Sequence, residues 1–477
     1  MLRHPLTPLL LALSAALCGT AAQASGYHFG SQSASAQGVA NANAAEAADA
    51  TVVFYNPAGM TRLDGTQVSG VLNVVLPHGS YTDQGSTTRL GLSTGGTGSG
   101  RFVEATAVPH AYLTHRLNEK WVAGLGLFVP FGSKSEYDPQ WSGRYNIIKT
   151  ELKTFTLNPS LAYQLNDKVS LGAGVSLQYI TGELSKASDF GSGAVASLGN
   201  ATLNALVSGK AAYSGRVDVE GKDWGVGFNL GLMITPSPDL RIGVAYRSQV
   251  RHTLTGTAKW QVQSAAANLA TLLNSVQAGA GTVVSQRLLA AYTDSDASLK
   301  VNTPDSFSVS FYKQQTPSTA VMGDLTLTRH SRFQELRVDF ANSLPDSTTP
   351  ERWTDTVRAS LGVSHKLSDR LTLRGGIAYD QSPVTESNRT PSIPDGDRSW
   401  LSTGLNWKLD DKRSIDTALS FIHINSGSIR NYDNGGQVDA NGNATCSATG
   451  NTSSCSTIVG NYKLNSFLLG IQYNQRF

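Results

Sequence analysis

The segment FLLGIQYNQRF, residues 467–477, decides the fold. Its apolar residues recur at every second position, and Gln475 is the one polar interruption on that face. Successive side chains of a β-strand point to opposite sides, so this alternation predicts a strand with one apolar face. The members of that face are Phe467, Leu469, Ile471, Tyr473 and the final aromatic residue Phe477.

Three other segments alternate with the same period, at residues 169–179, 224–234 and 356–367. In each of them apolar side chains interleave with small, polar or charged ones, which predicts half-buried strands. A soluble β-sandwich would alternate too. The aromatic end of segment 467–477 favours a barrel, because it resembles the terminal signal by which bacterial outer-membrane barrels are recognised for insertion. We therefore expect the barrel-assembly machinery as a partner during insertion.

The composition agrees with a chain that crosses a membrane with strands. The 477 residues are 40% hydrophobic and include 47 glycines, yet no stretch after the N-terminal region approaches the ~18 apolar residues of a membrane helix. Only helices and closed barrels satisfy every backbone polar group in lipid, so a membrane protein without such a helix must be a barrel. The net charge of +3 is small for this length and indicates no nucleic-acid partner.

Connections between the predicted strands come in two lengths, as short periplasmic turns and long external loops require. Short turns are predicted at 118–120, 166–168, 236–239, 368–370 and 410–412. Long loops are predicted at 84–103, 132–150, 188–214, 261–297, 380–397 and 430–461, with helical patterning from Ala196 to Leu206 and from Ala265 to Ala291. This spacing predicts an all-β transmembrane barrel of about fourteen antiparallel strands, with partly helical extracellular loops and both termini in the periplasm.

The first residues predict an exported precursor. Arg3 precedes an apolar run at residues 9–17, and Ala22-Gln23-Ala24 then offers a signal-peptidase site. Residues 1–24 are therefore a predicted signal peptide, and Ser25 is the predicted mature N-terminus. A membrane anchor is the alternative, but the run is shorter than the ~20 residues that span a bilayer.

Cys446 and Cys455 are the two cysteines that lie outside the predicted signal peptide, and both are in a segment rich in Gly, Asn, Ser and Thr. Two close cysteines in an exported protein predict a disulfide. A metal site is the alternative, but no histidine accompanies the pair at ligand spacing. We expect neither a metal nor a cofactor.

Residues 25–65 are rich in Ala, Gly, Asn and Ser and lack the alternation of a barrel strand. Their most distinctive piece is FYNPAGM, residues 54–60. A flexible external tail is the alternative interpretation, but residues 52–55, VVFY, are too apolar for a solvated tail. We therefore predict a plug, or hatch, at 25–65 inside the lumen of a barrel formed by 66–477.

Motifs along the whole mature chain resemble those of the FadL family of outer-membrane transporters. Asn56, Pro57 and Ala58 look like the NPA motif of the family's hatch. Four further segments resemble family signatures: WSGRY at 141–145, SRFQEL at 331–336, GIAYDQSPV at 376–384 and PSIPDGDR at 391–398. The resemblance implies a fourteen-stranded barrel closed by its hatch. It also implies passive uptake of long-chain fatty acids or of other hydrophobic compounds such as aromatic hydrocarbons.

The resemblance further implies that a groove among external loops captures the ligand, that a lumenal pocket binds it, and that the hatch rearranges to release it. A kinked third strand, here Trp121–Gly132, would open a lateral exit into the bilayer. Gly124 and Gly126 tolerate irregular backbone, and Pro130 cannot donate to a strand ladder. The alternative is that these glycines only relieve crowding in the lumen.

A carboxylate head group would need a cation in the protein. Arg247, Arg358 and Arg374 lie on predicted lumenal faces, and Arg337 and Arg398 lie in or beside the motifs that resemble the family. These five arginines are the candidate carboxylate ligands. The alternative is that they balance Asp and Glu side chains, as lumenal arginines of barrels commonly do.

Other functions remain open at this stage. A general porin would lack an apolar hatch, and an adhesin or phage receptor is a third possibility. Residues Gly91–Gly95 match the GxSxG pattern of hydrolases, but no hydrophobic strand precedes them and no helix follows, so we expect no enzymatic activity. We expect a monomer in the outer membrane of a Gram-negative bacterium, in contact with lipid and a hydrophobic ligand.

Overall fold

The computed structural model describes residues 26–196, 198–446 and 453–477. The predicted signal peptide at 1–24 and the predicted N-terminal Ser25 lie outside the described residues. All strands of the described chain belong to one antiparallel sheet. The first strand pairs with the last, from Gln67 with Arg476 to Asp83 with Gly460, so the sheet closes on itself. The fold is a closed barrel, as predicted.

The strands are β1 Thr66–Asp83, β2 Ser99–Arg101, β3 Thr106–Arg116, β4 Trp121–Phe128, β5 Gly132–Glu136, β6 Lys149–Asn166, β7 Val169–Ser188, β8 Gly215–Ser237, β9 Leu240–Arg247, β10 Val250–Gln261, β11 Ser295–Thr303, β12 Ser306–Gln314, β13 Thr319–Thr328, β14 Glu335–Phe340, β15 Ser347–Pro350, β16 Thr356–Lys366, β17 Leu371–Asp380, β18 Arg398–Lys408, β19 Arg413–Tyr432 and β20 Thr457–Arg476. Five spans are interrupted and consist of two strands each: β4/β5, β9/β10, β11/β12, β13/β14 and β15/β16. Strand β2 only extends β1. The barrel therefore has 14 spans, which confirms the predicted number.

The alternation predicted for the last strand is present in the structure. Phe467, Ile471 and Phe477 are 49%, 51% and 55% exposed, whereas Leu468 and Gln472 are buried. An exposed apolar face on a closed barrel is the face that contacts lipid. The C-terminal segment therefore lies in the wall with its aromatic and aliphatic side outward.

The N-terminal segment fills the lumen of the barrel. It contains the one-turn helices α1 Ala34–Gln37 and α2 Val52–Tyr55, followed by a 3-10 helix at Pro57–Arg62. Hatch residues such as Val53 and Met60 form one buried apolar cluster with wall residues such as Val122. The hatch predicted from the sequence is therefore packed inside the barrel and not free in solvent.

The six short turns of the barrel lie at one end, and seven long external loops lie at the other. We number the loops L1 84–105, L2 137–148, L3 189–214, L4 262–294, L5 341–346, L6 381–397 and L7 433–456. The helices of L3 are α3 Phe190–Val195 and α4 Ala201–Val207, and those of L4 are α5 Gln263–Val276 and α6 Ala280–Ala291. L3 and L4, the two loops in which helices were predicted, both contain helices. In the described part of the chain, no helix is both long and apolar enough to cross a membrane.

The predicted disulfide joins Cys446 to Cys455 in L7, with the two Cα atoms 5.8 Å apart. It links two points of one external loop and no two strands. The disulfide therefore restrains the shape of L7 and does not hold two strands together.

Glycines on the lumenal side of the wall allow the hatch to approach the backbone of the strands. A Cβ atom at Gly231 would lie 2.9 Å from the backbone nitrogen of Ala58 and would also collide with the Asn56 side chain. Its cross-strand partner Gly172 faces the Pro57-Ala58 backbone in the same way. The wall glycines are therefore the surface on which the NPA motif is seated.

Gly231→Val should unseat this part of the hatch, because no side chain fits between β8 and Asn56. We expect a loss of stability of about 1–3 kcal/mol, as is usual for overpacking, and a rise in steady ion conductance across planar bilayers. Gly70→Val is the matched control, since a Cβ atom at Gly70 meets nothing within 4 Å. Equal conductance of both variants and the parent protein would contradict the packing role of Gly231.

Candidate functional site

The NPA motif is fixed at the base of the lumen by its asparagine. Asn56 Oδ1 accepts a hydrogen bond from the Ala58 amide at 3.1 Å. Its Nδ2 donates to the carbonyl oxygens of Leu232 at 3.0 Å and Val244 at 3.5 Å, on β8 and β9. One amide side chain therefore caps the 3-10 helix of the hatch and binds it to two wall strands.

Three of the five candidate arginines hold the hatch. Arg374 forms an ion pair with Glu46 at 2.7 Å and lies 3.9 Å from Asp416. Arg247 donates to the Phe54 carbonyl at 2.8 Å and stacks on the Phe54 ring. Arg358 donates to the carbonyls of residues 40 and 41, at 3.1 and 3.3 Å. Arg247 and Arg358 also line one small cavity beside the hatch, of about 70 Å³.

The other two candidate arginines are paired with carboxylates. Arg398 is buried and binds Asp395 at 2.6 Å, with Asp380 3.9 Å away. Arg337 is half exposed and binds Asp339 at 2.8 Å and also Asp346. The structure therefore brings only Arg247 and Arg358 together. Among the described residues, His, Cys, Asp and Glu form no group that could hold a metal ion.

The third span is broken, but not at its glycines. Gly124 pairs with Thr114 on one side and with Ser160 on the other, and Gly126 is also within the regular ladder. Strand β4 ends at Phe128 and β5 begins at Gly132, so the break comprises residues 129–131 and includes Pro130. Beyond Leu127, the upper part of β3 has no pairing with this span. The irregularity that we expected from Gly124 onward begins only after Phe128.

Gly124 instead faces the hatch. A Cβ atom there would lie 2.9 Å from Val53 and would collide with Met60. At Gly126 a Cβ atom would approach the ring of Phe128 to 2.9 Å. Both glycines therefore relieve crowding in the lumen, which is the alternative that the sequence left open.

The beginning of the hatch supplies the partners that the broken strand lacks. The Phe29 amide donates to the Pro130 carbonyl, and the Gly132 amide donates to the Tyr27 carbonyl, both at 2.8 Å. His28 and Phe131 form the antiparallel bridge between these two bonds. Residues 27–29 therefore act as a short strand added to the wall.

A cavity in the upper lumen, which we call the inner cavity, is lined by eight apolar residues, five uncharged polar residues and one cation. Lys186 donates to Ser347 at 3.1 Å, and the indole nitrogen of Trp260 is buried without a hydrogen-bond partner. Besides Trp260, the apolar lining is Ile147, Leu184, Val217, Val219, Leu336, Val338 and Phe340. The volume is about 40 Å³, so a long acyl chain must displace side chains to enter.

A larger cavity of about 370 Å³, the outer cavity, lies among L1, L3, L4 and L7. Arg89, Arg287 and Asp189 line it together with apolar residues of α3 and α6. Burial raises the pKa of Asp189, and hydrogen bonds from Ser192 offset this effect only in part. The carboxylate is held within L3, where it accepts hydrogen bonds from Ser192 and from the Gly209 amide.

Aromatic rings connect the two cavities. Phe190 and Tyr292 line the outer cavity, with ring centroids 4.7 Å apart. Tyr292 is also 4.7 Å from Trp260, which lines the inner cavity and lies 6.2 Å from Phe340. A continuous row of packed aromatic rings, which we call the aromatic path, therefore connects the outer cavity with the inner cavity.

Lys186, Trp260 and the two cavities were not predicted from the sequence. A signal for them exists in β8, where the apolar residues change face. From Trp224 to Ile234 the apolar residues point outward, whereas above Trp224 the residues Val217 and Val219 point into the lumen. This inversion marks the level at which the wall leaves the lipid and the lumen becomes apolar.

A closed barrel with a lipid-facing surface, a packed hatch and an apolar path above it defines an outer-membrane transport protein. The family model described as outer membrane protein transport protein (OMPP1/FadL/TodX) matches residues 15–477. The chain therefore belongs to the OMPP1/FadL/TodX family, and its location is the outer membrane of a Gram-negative bacterium. The family consists of transporters.

Relatives and solved structures agree with this assignment. A putative outer membrane protein of Neisseria meningitidis serogroup B is 36% identical, over 98% of both chains. The long-chain fatty acid transport protein of Escherichia coli O6:H1 is 30% identical, over 87% of this chain and 90% of its own. A crystal structure of a Pseudomonas aeruginosa FadL homologue, 22% identical, has a TM-score of 0.79 and covers 95% of this chain and 100% of that one. The Pseudomonas putida toluene transporter TodX, 20% identical, has a TM-score of 0.63, with 90% and 94% covered. The two structures share the fold.

Arg374→Met should destabilise the protein, because it leaves the carboxylates of Glu46 and Asp416 buried without their cation. We expect a loss of about 3–5 kcal/mol in the free energy of unfolding, measured by urea titration in detergent. A triple variant that adds Glu46→Gln and Asp416→Asn should recover most of this loss. A decrease below about 1 kcal/mol, the value of an exposed pair, would show that Arg374 does not anchor the hatch.

Proposed function

We propose that this protein takes up long-chain fatty acids by passive diffusion through the wall of the barrel. The ligand would bind in the outer cavity, move along the aromatic path to the inner cavity, and leave sideways at the break at 129–131. The observation that carries the proposal is the single lysine, Lys186, among the apolar residues of the inner cavity. An apolar site that holds one cation is complementary to an acyl chain with a carboxylate head.

Uptake by this route needs no external source of energy. Each methylene that leaves water gains about 0.8 kcal/mol, so a long chain binds an apolar cavity spontaneously. Lateral exit would pass the chain directly from the protein into lipid, and the chain would not cross the aqueous periplasm. We infer that undocking of residues 27–29 from the wall opens this exit.

Aromatic hydrocarbons are the second candidate. The structural neighbour TodX is a toluene transporter, and the aromatic rings along the path would also suit such ligands. A hydrocarbon has no head group and would make no use of Lys186. The lysine is therefore the residue that separates the two candidates.

We further propose that residues 1–24 are removed on export, that 25–65 act as the hatch, and that 66–477 act as the barrel wall. In this proposal the protein is a monomer in contact with outer-membrane lipid, is inserted by the barrel-assembly machinery, and catalyses no reaction. The arrangement around Ser93 supports the last point, because residues 91–95 lie in L1 between irregular segments and not between a strand and a helix.

Lys186→Met should separate the two candidate ligand classes. A hydrogen bond to a charged group contributes about 1.5–3 kcal/mol, so affinity for a long-chain fatty acid should fall about ten- to a hundredfold. Affinity for the methyl ester of the same chain should change little. Equilibrium binding to detergent-purified protein measures both values. Lys149→Met is the control, because Lys149 is a partly buried lysine that pairs with Glu151 and Glu183 and does not line the inner cavity. Unchanged fatty-acid affinity would exclude Lys186 as the head-group ligand.

A cross-link tests the exit. His28 and Phe131 face each other in an antiparallel bridge, where Cα atoms are close enough for a disulfide. The double variant His28→Cys and Phe131→Cys should lose fatty-acid uptake when oxidised and regain it with reductant. The single variant His28→Cys and the parent protein, under the same reductant, control for the native disulfide. Undiminished uptake by the fully cross-linked protein would mean that the hatch need not leave the break.

A further inference from the structure

Three basic side chains on the outer surface of the wall form what we call the basic patch. They are Lys222 on β8, Arg251 on β10 and Lys300 on β11, and all three are exposed. The residues that alternate with them, such as His252 and Val301, are buried on the lumenal side. The three cations therefore point away from the lumen and from both cavities.

The register of the strands places the three residues close together. Lys300 is directly opposite Thr253 on β10, which is two residues from Arg251. Lys222 is directly opposite Thr255 on the same strand. With about 4.8 Å between strands and about 3.4 Å per residue, the Cα atom of Lys300 is about 8 Å from that of Arg251 and about 12 Å from that of Lys222. One lipid head group can therefore contact more than one of these cations.

The basic patch has no counter-charge in the described part of the chain. No acidic side chain of the described residues forms an ion pair with Lys222, Arg251 or Lys300. Acidic residues near the patch already have partners: Glu220 pairs with Lys259, Asp223 with His252 on the lumenal side, and Asp339 with Arg337. Glu335, at the start of β14, lies beyond the end of the ladder with β11.

Other basic side chains on the outer face of the wall are paired. Lys134 on β5 binds Glu104 and Glu136, at 2.7 and 2.8 Å, and Lys149 on β6 binds Glu151 at 2.9 Å. The basic patch differs from these positions because its charges are not balanced by the protein itself. An external anion is therefore the partner that its charge fits.

Trp224 places the basic patch at the boundary of the membrane. Its side chain is 67% exposed, and the exposed apolar residues Val226 and Phe228 follow it on the same face of β8. Exposed tryptophans of membrane proteins mark the interface between lipid and water. Lys222 precedes Trp224 by two residues, on the side of the external loop L3. The patch therefore lies at the height of the head groups of the outer leaflet.

We propose that the basic patch binds a phosphorylated lipid of the outer leaflet through the phosphates of its head group. Phosphate brings the negative charge that the patch lacks, and guanidinium and ammonium groups are suitable donors to it. The long aliphatic stems of Lys and Arg can lie against the acyl chains while the charged ends reach the head group. Clusters of basic residues beside a membrane surface are a known basis for recognition of anionic lipids.

Binding of lipid A to the full mature protein in detergent tests the proposal. The affinity is measured at constant ionic strength for lipid A with two phosphates and for the same lipid after removal of both phosphates. We expect saturable binding of the phosphorylated form and an affinity for the dephosphorylated form that is lower by about tenfold or more. Equal affinities would overturn the proposal, because the acyl chains alone would then account for binding.

Replacement of the three cations by glutamine assigns the site. Lys222→Gln, Arg251→Gln and Lys300→Gln should each weaken binding of phosphorylated lipid A about fivefold, and the triple variant about a hundredfold. All three side chains are exposed, so the barrel should keep its urea unfolding midpoint in detergent.

A second triple variant controls for net charge. Lys134→Gln, Lys149→Gln and Lys153→Gln remove the same charge from β5 and β6, where each lysine is paired with glutamate. This variant should bind phosphorylated lipid A nearly as the parent protein does. The proposal is overturned if the patch variant binds as tightly as the parent protein, or if both triple variants lose affinity alike.

Discussion

Backbone groups removed from water must find hydrogen-bond partners inside the protein, and one place in this barrel meets that requirement in an unusual way. Between Phe128 and Gly132 the wall strand loses its neighbour β3. The hatch replaces it, through the amide of Phe29, the carbonyl of Tyr27 and the side chain of Gln32, which donates to the Val129 carbonyl at 2.8 Å. Thr154 on β6 satisfies Phe131 from the other side, with contacts of 2.7 to 3.1 Å. The N-terminal segment that plugs the lumen therefore also seals the gap in the wall.

The hatch is attached to the wall by different kinds of contact along its length. Around Asn56 its backbone lies directly on wall glycines, and Glu46 forms a buried ion pair with Arg374, so this part is fixed by close packing and charge. Residues 27–32 reach the broken strand through a few backbone and amide hydrogen bonds, each worth about 0.5–1.5 kcal/mol. Tyr27 is also buried, with its ring against Phe131, Phe333 and Trp353. Opening of the seal must therefore break this aromatic contact as well as the hydrogen bonds, but it need not break the contacts of Asn56 and Glu46 with the wall.

The architecture could be predicted from the sequence because every wall strand follows the same rule, in which side chains alternate between lipid and lumen. The alternation at 467–477, five of the six short turns, the apolar hatch and the cysteine pair all depend on neighbouring residues, and these were predicted correctly. The sixth turn, at 315–318, was not predicted. The site depends on distant residues instead. The residues around Arg374 in the sequence do not indicate that Glu46 is its partner. The sequence also does not show that Gly124 lies against Met60, so Gly124 was interpreted as a position of irregular backbone. Lys186 can be recognised as a candidate head-group ligand only when the inward-facing residues of β7, β8 and β14 above the membrane are known to be apolar.

The central claim is that a ligand binds in an apolar pocket above the hatch and leaves through the gap that the hatch seals. A structure of the protein with a bound long-chain fatty acid tests this claim most directly. We expect the carboxylate at Lys186 and the acyl chain among Val217, Val338 and Phe340, with residues 27–29 displaced from the broken strand in at least part of the molecules. A ligand that lies in a water-filled passage through the hatch to the periplasm, with residues 27–29 in place, would contradict it.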